Sequence, residues 1–374
     1  MMSRSLLLAP FALLVWTSCA GLGDSPATLE PPFAGAVNAD HLILEGETHF
    51  AHLWQLTDGG ENAEAYWSAD GTQLCLQRTS RKDGIDCDRI YVTGDDGELH
   101  QISDGRGVTT CAYFFPDGKR VLFASTTGMA ASCPQPPDRS QGYVWPLHAG
   151  YDIYVHDLEK GNAWPLIQGP GYDAEATVSP TGDRIVFTST RSGDIELWTC
   201  DMEGGDLLQV TDDPGYDGGA FFSNDGQRLV FRATAFTPGQ EEAELATYRE
   251  LLARDLVKPS HMELFLVDAD GKNRTQLTTL GNANFGPSFY PDDSRIIFCS
   301  NHHDQNRPAM DFDLWSIGVD GQGLEQITTF NAGERGKQFD GFPLFSPNGK
   351  WLAFSSNRGD GAAGDTNVFV AEWK

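Results

Sequence analysis

Six segments of this 374-residue chain can be laid over one another: AYWSADGTQLCLQ from Ala65, AYFFPDGKRVLFAS from Ala112, ATVSPTGDRIVFTS from Ala176, AFFSNDGQRLVFRA from Ala220, PSFYPDDSRIIFCS from Pro287 and PLFSPNGKWLAFSS from Pro343. Each is a short apolar strand, a turn on Asp-Gly, Asn-Gly or a variant, and a second strand alternating apolar and polar residues, which reads as a β-hairpin. A third strand follows each hairpin, beginning at Asp88, Asp152, Glu196, Glu263, Asp313 and Asn367. Most repeats then run through a polar turn into a fourth, as in LLQVT from Leu207, RTQLT from Arg274 and LEQIT from Leu324. Self-similarity at this scale means a repeat architecture, and four antiparallel strands per repeat form a propeller blade. The sixth repeat lacks its fourth strand, while Leu53-Trp54-Gln55-Leu56-Thr57 precedes the first repeat without a hairpin of its own. An N-terminal strand that completes the last blade closes the ring and removes an open edge. The expected fold is all-β: a single six-bladed β-propeller over residues 47–374, with a short helix in the blade-four insertion.

Residues 1–19 read as an export signal and 20–46 as a tether. Arg4 precedes an apolar run from Leu6 to Trp16, too short to span a bilayer and of the size of a signal h-region. Thr17-Ser18-Cys19-Ala20 resembles the lipobox of bacterial lipoproteins, which implies diacylglycerol on Cys19 and a lipid anchor, although Trp16 stands where that motif has Leu. The alternative is cleavage after Ala20 and release of a soluble protein. Pro26, Pro31 and Pro32 give the following stretch the composition of a linker.

The hairpin turns, the passage from Ser189 to Trp198 and the QLT-type endings resemble the repeats of TolB-type propellers of the bacterial envelope. The resemblance implies a periplasmic or outer-membrane location. Fewer than 30 residues separate Cys19 from the first strand, so it implies the propeller without TolB's N-terminal α/β domain. Such propellers serve as binding platforms, as parts of peptidases and as lyases, so function has to come from the site.

Equivalent residues before the hairpin turns are spaced 47, 64, 44, 67 and 56 apart, and the excess lies between second and third strands, at 127–150, 234–260 and 301–311. Those connections share one face, which is where binding loops on a rigid scaffold belong. The same alignment places Asn62, Thr109, Asp173, Asp217, Asn284 and Asp340 just before the innermost strands, with Glu64 and Glu175 two residues further in. Around an axial channel this set is expected to receive a divalent cation, or a basic or amide-rich peptide. The competing reading is that Asp and Asn cap the entering turns locally. In the blade-four insertion, Thr237-Pro238-Gly239-Gln240 predicts a helix start, and Leu245, Tyr248, Leu251 and Leu252 form an apolar stripe that either packs on the propeller or docks a partner. Cys87 and Cys133 fall in equivalent loops of adjacent blades and are expected to pair, with Cys111 as the rival partner.

The sequence contains no GxSxG and no HExxH, which removes serine-hydrolase and zincin chemistry. His302, His303 and Asp304 in the blade-five loop leave a metal-dependent, lyase-like alternative open, although the pair lacks a diagnostic ligand spacing. With 53 acidic against 26 basic residues the formal charge is −27, which excludes nucleic acid and anionic membrane surfaces as partners and opposes polyuronate substrates. The expectation is a monomeric, non-catalytic envelope propeller that binds a protein or peptide and touches the membrane only through its anchor.

Overall fold

The turn residues fix each hairpin before any long-range contact forms. Gly71, Gly118, Gly182, Gly226 and Gly349 occupy the left-handed region with φ between 66° and 72°, and Asp293 takes that place in blade 5 with φ 57°. Beside them a carboxylate or amide caps the turn: Asp70 accepts from the Thr72 N–H at 3.0 Å, Asp225 from Gln227 at 2.9 Å and Asn348 from Lys350 at 2.9 Å. Hydrogen bonds from Ser68 and Ser223 hold the carboxyls of Asp70 and Asp225 below the usual carboxylate range. Much of the chain's acidity is therefore turn chemistry.

The computed structural model describes residues 31–138, 142–303, 311–329 and 338–374. The chain forms six antiparallel blades whose innermost strands are Glu61–Trp67, Thr109–Phe114, Asp173–Val178, Asp217–Phe222, Asn284–Phe289 and Asp340–Phe345. In the sixth blade Phe50–Gln55 pairs with Asn367–Trp373, so the N-terminal strand closes the ring. A further strand, Val37–Asn38, pairs with Trp54 and Gln55 and covers the outer edge of that blade. Residues 31–46, expected within the tether, therefore belong to the fold. Phe33 stacks on Trp67 at 5.3 Å and Ala39 is buried, apolar contacts that outweigh the linker-like prolines. In blade 2 the fourth strand is Asn162–Ile167, whose Trp164-Pro165 hides the QLT pattern.

Side chains from facing blades fill the seams. Between blades 2 and 3, Ile153, Val155, Ile185 and Phe187 are at most 1% exposed, and each stabilises the fold by about 1.5–3 kcal/mol relative to an exposed position. No helix among the described residues is long and apolar enough to cross a membrane.

The two long insertions meet. Trp145–Pro146 from blade 2 pairs with Leu256–Val257 from blade 4, and Leu147 N–H donates to the Asp255 carbonyl. The helix spans Glu241–Leu252, starting later than Thr237-Pro238 predicts because Gly239, at φ 84°, cannot be helical. Tyr248 is buried and donates to Asp194, and Leu245 and Leu252 pack beside it, so the apolar stripe lies on the propeller itself.

Candidate functional site

Each innermost strand has a β-bulge at its third or fourth residue. There the chain takes the left-handed conformation six times: at Glu64, Cys111, Glu175, Gly219, Gly286 and Phe342, with φ between 53° and 62°. A bulge re-aims its side chain, and here the direction is toward the axis. The channel wall is thus made by these six residues, polar in blades 1 to 3 and apolar in blades 5 and 6. Non-glycine residues in this region are strained, so the surrounding packing must hold them.

Arg232 reaches into the polar half. It donates to Glu175 and to the Tyr216 hydroxyl, and its guanidinium lies over Tyr216 at 5.2 Å and under Trp145 of the blade-two insertion at 5.1 Å. A Cβ at Gly219 would overlap this guanidinium, which is why the ring position in blade 4 is glycine. Burial pushes the Glu64 carboxyl up to about 7, with a hydrogen bond from Cys111 pulling the other way and Glu175 adding to the rise. Below this layer Tyr66, Tyr113 and Phe221 meet across the axis with centroids 5.3–6.0 Å apart, forming a floor. Trp145, in edge contact with Tyr216 and Phe285 at 6.4 and 6.3 Å, forms the cover.

Asn62, Thr109, Asp173, Asp217, Asn284 and Asp340 do occupy equivalent positions, but they do not converge on the channel mouth. All are at most 2% exposed and point between blades. Thr109 donates to the Asp88 carbonyl at 2.9 Å, Asn62 to that of Thr366 at 2.8 Å and Asn284 to that of Met262 at 2.9 Å, each fastening its blade to the one before. The aspartates are neutralised singly: Asp173 by Arg191 at 2.9 Å, Asp217 by Arg274 at 2.6 Å and Asp340 by Arg358 at 2.8 Å. Arg358 also pairs with Glu47 at 3.1 Å in a triad whose side chains are at most 1% exposed. Of the expected mouth residues, only Glu64 and Glu175 face the channel, and Glu175 is engaged by Arg232. The residues missing from the sequence reading were Arg232 and the bulge itself, whose trace was glycine at Gly219 and Gly286.

His302 and His303 stand side by side with ring centroids 5.9 Å apart. The Ser300 hydroxyl meets His302 Nδ1 at 2.8 Å, and the ring packs edge-on against Trp315 at 4.4 Å. Burial, with His303 nearby, lowers the His302 pKa to about 4. His303 Nε2 lies 3.1 Å from Asp313, and Asp304 lies outside the described residues, as does Cys19. Among the described residues no group of three or more His, Cys, Asp or Glu is arranged to hold a metal. Cys87 and Cys133 form a disulfide with Cα atoms 6.0 Å apart, and Cys111 is a free thiol.

No protein-family model and no curated protein matches the sequence. Among solved structures, TolB from Acinetobacter baumannii is similar over 79% of this chain and 64% of its own, with 17% identity and a TM-score of 0.51. The chain has a TolB-like propeller fold. It spans just under two thirds of that TolB's length. Two enzymes share the architecture of this TolB-like ring. A gluconolactonase from Xanthomonas campestris is 13% identical over 91% of this chain and 96% of its own, with a TM-score of 0.54. An oligogalacturonate lyase from Vibrio parahaemolyticus is 10% identical over 91% of this chain and 97% of its own, with a TM-score of 0.50. At such identities the likeness is one of fold.

Proposed function

We propose that this chain is a non-catalytic propeller of the bacterial envelope, exported under its N-terminal signal and lipid-anchored through Cys19, which binds a protein or peptide on the face carrying the insertions. The observation that carries this reading is the pairing of Trp145–Pro146 with Leu256–Val257, which turns two long loops into one braced surface. That surface presents Met129, 72% exposed, and Tyr143, 44% exposed. The channel beneath is filled by the protein's own Arg232, Trp145 and Tyr66. Rigid loops bearing exposed aromatic and Met side chains are the usual material of recognition surfaces.

A photo-crosslinking residue at position 129 or 143, expressed in cells, should yield one shared adduct, and the same residue at Asp320 on the opposite face should not. Equal labelling from all three positions, or none from 129 and 143, overturns the assignment of the face. Mass spectrometry of the mature N-terminus should show a diacylglyceryl Cys19; cleavage after Ala20 overturns the anchor. The metal-dependent alternative would use the ring nitrogens of His302 and His303 that do not face Ser300 and Asp313. Stoichiometric transition metal that is lost on His302→Ala would establish it in place of the non-catalytic reading.

A further inference from the structure

Among the described residues three arginines are buried, Arg89, Arg232 and Arg358, at 9%, 7% and 3% exposure. Arg232 is paired with Glu175, and Arg358 with Glu47 and Asp340. Arg89 has no carboxylate partner among the described residues, and the side-chain atoms it meets are the two sulfurs of the disulfide. Its Nη1 lies 3.3 Å from Cys87 Sγ and its Nη2 3.9 Å from Cys133 Sγ. Nη1 also donates to the backbone carbonyls of Gly107 at 2.6 Å and Asp88 at 3.1 Å. The Asp88 carboxylate is engaged elsewhere, by the Thr79 hydroxyl at 2.5 Å and the Gln77 amide at 3.4 Å. A buried guanidinium without a counter-charge costs stability, so its retention asks for an anion that the disulfide does not supply.

Reduction supplies that anion. A Cys87 thiolate would sit 3.3 Å from a fixed positive charge, and a Cys87 thiol would find the Gly107 carbonyl 3.1 Å away to accept its proton. Either form of the reduced sulfur thus has a partner in place. Cys133 is itself partly exposed and its neighbours Ser132 and Gln135 are exposed, so an incoming thiol can approach from the side of the insertion. The disulfide ties the third strand of blade 1 to the blade-two insertion, 46 residues further on. Beside it the Gly107 N–H donates to the Ala131 carbonyl at 3.1 Å, and the Thr127 hydroxyl to Asp104 at 2.6 Å.

We propose that Cys87–Cys133 is a redox-active site, opened by a dithiol, and that its opening frees the stretch from Gly128 to Cys133 from blade 1. A thiolate of the dithiol attacks Cys133 Sγ; a mixed disulfide forms as the Cys87–Cys133 bond breaks, and Cys87 leaves as a thiolate held by Arg89. The second thiol of the reductant, once deprotonated, attacks its partner sulfur in the mixed disulfide, and Cys133 leaves. The dithiol has then given up two electrons and become a disulfide, and the two protons its thiols released are available to Cys87 and Cys133. Met129 lies on the freed stretch, so redox state sets how the insertion face is presented, a consequence that rests on the reading of that face as the binding surface. The chemistry itself needs no partner, so it stands or falls apart from that reading.

Incubation of the folded protein in buffers of reduced and oxidised dithiothreitol, followed by thiol alkylation and peptide mass spectrometry, tests the proposal. Cys87 and Cys133 should become labelled while Cys75, Cys200 and Cys299, which are buried, stay unlabelled. Labelling of all five together would mean that reduction requires unfolding, and it overturns the proposal, as does no labelling of Cys87 and Cys133. Arg89→Gln keeps a donor for the Gly107 carbonyl and removes the charge, so at a fixed buffer its ratio of reduced to oxidised protein should fall at least about tenfold. An unchanged ratio with the buried thiols still protected overturns the role of Arg89 and the proposal with it. Should Arg89→Gln fail to fold, the labelling pattern of the wild type decides. On reduction, amide exchange should rise in peptides covering Gly107 and Met129 to Cys133 and stay unchanged at Leu256–Val257. Unchanged exchange at Gly107 overturns the release of the stretch.

Discussion

Blades 3 and 6 start their inner strand with an aspartate and place an arginine two residues beyond the serine that ends the second strand; blade 5 has asparagine and histidine in the same two places. The serine is the common pivot. Ser189 accepts from Arg191 N–H and Nε at 3.2 and 2.9 Å, Ser356 from Arg358 N–H and Nε at 3.1 Å each, and Ser300 from His302 N–H at 3.1 Å. In blades 3 and 6 the inner carboxylate faces an opposite charge; in blade 5 the neutral amide faces a neutral imidazole. A buried carboxylate needs a paired cation to be tolerated, whereas an amide is satisfied by hydrogen bonds alone. His302 is thus the uncharged counterpart of Arg191 and Arg358.

The comparison is broken hardest at Arg358. Arg358→Met strands Glu47 and Asp340, both with fully buried side chains, and should cost about 3–5 kcal/mol in urea unfolding. Arg191→Met should cost less, because Arg191 keeps a side-chain exposure of 16% and Asp173 can draw in water. Equal costs would mean that burial does not set the scale. Next, Asn284→Asp puts an unpaired carboxylate beside Glu263, 3.1 Å from the present amide nitrogen, and should cost about 2–4 kcal/mol at pH 8. Adding His302→Arg should restore at least half of that loss if the two positions form one exchangeable pair; no recovery in the double variant would dissolve the parallel between the blades.

A smaller effect lies in pH. His302 binds its proton near pH 4 in the folded chain and near 6.5 when unfolded, so the unfolded state takes up the proton first as the solution is acidified. Its contribution is complete above pH 6.5 and is lost as pH falls toward 4. His302→Gln should therefore flatten the acid limb of stability against pH by on the order of 1–2 kcal/mol after solvent screening. An unchanged acid limb would show that folding does not change how readily His302 takes up its proton. The smallest expected effect is Thr109→Val, which removes one hydroxyl bond to the Asp88 carbonyl and should cost about 1 kcal/mol.

The blades and their closure were legible because they rest on local signals repeated six times: turn dipeptides, alternating strands and the LxQLT ending. The strand Val37–Asn38 was not, since a strand of two residues has no alternation to detect. The inner Asp and Asn positions were found, but their direction was not. A bulge shifts the register after the second residue, so the side chain that faces the axis is Glu64 or Glu175, two places later, and alternation alone misassigns the face. The Ser-x-Arg spacing lay in plain view at Ser189 and Ser356, yet its partner is 18 residues earlier, a separation that propensity does not encode.

Ring closure through the sixth blade has a kinetic consequence. Phe50–Gln55 meets Asn367–Trp373 across more than 300 residues, and so does the Glu47–Arg358 pair, with a separation of 311. The other blades are assembled from neighbours in sequence, while this one needs the largest loop in the molecule to close. Refolding should accordingly end in a slow capture step, and release of that one strand should set how long the folded ring survives in denaturant.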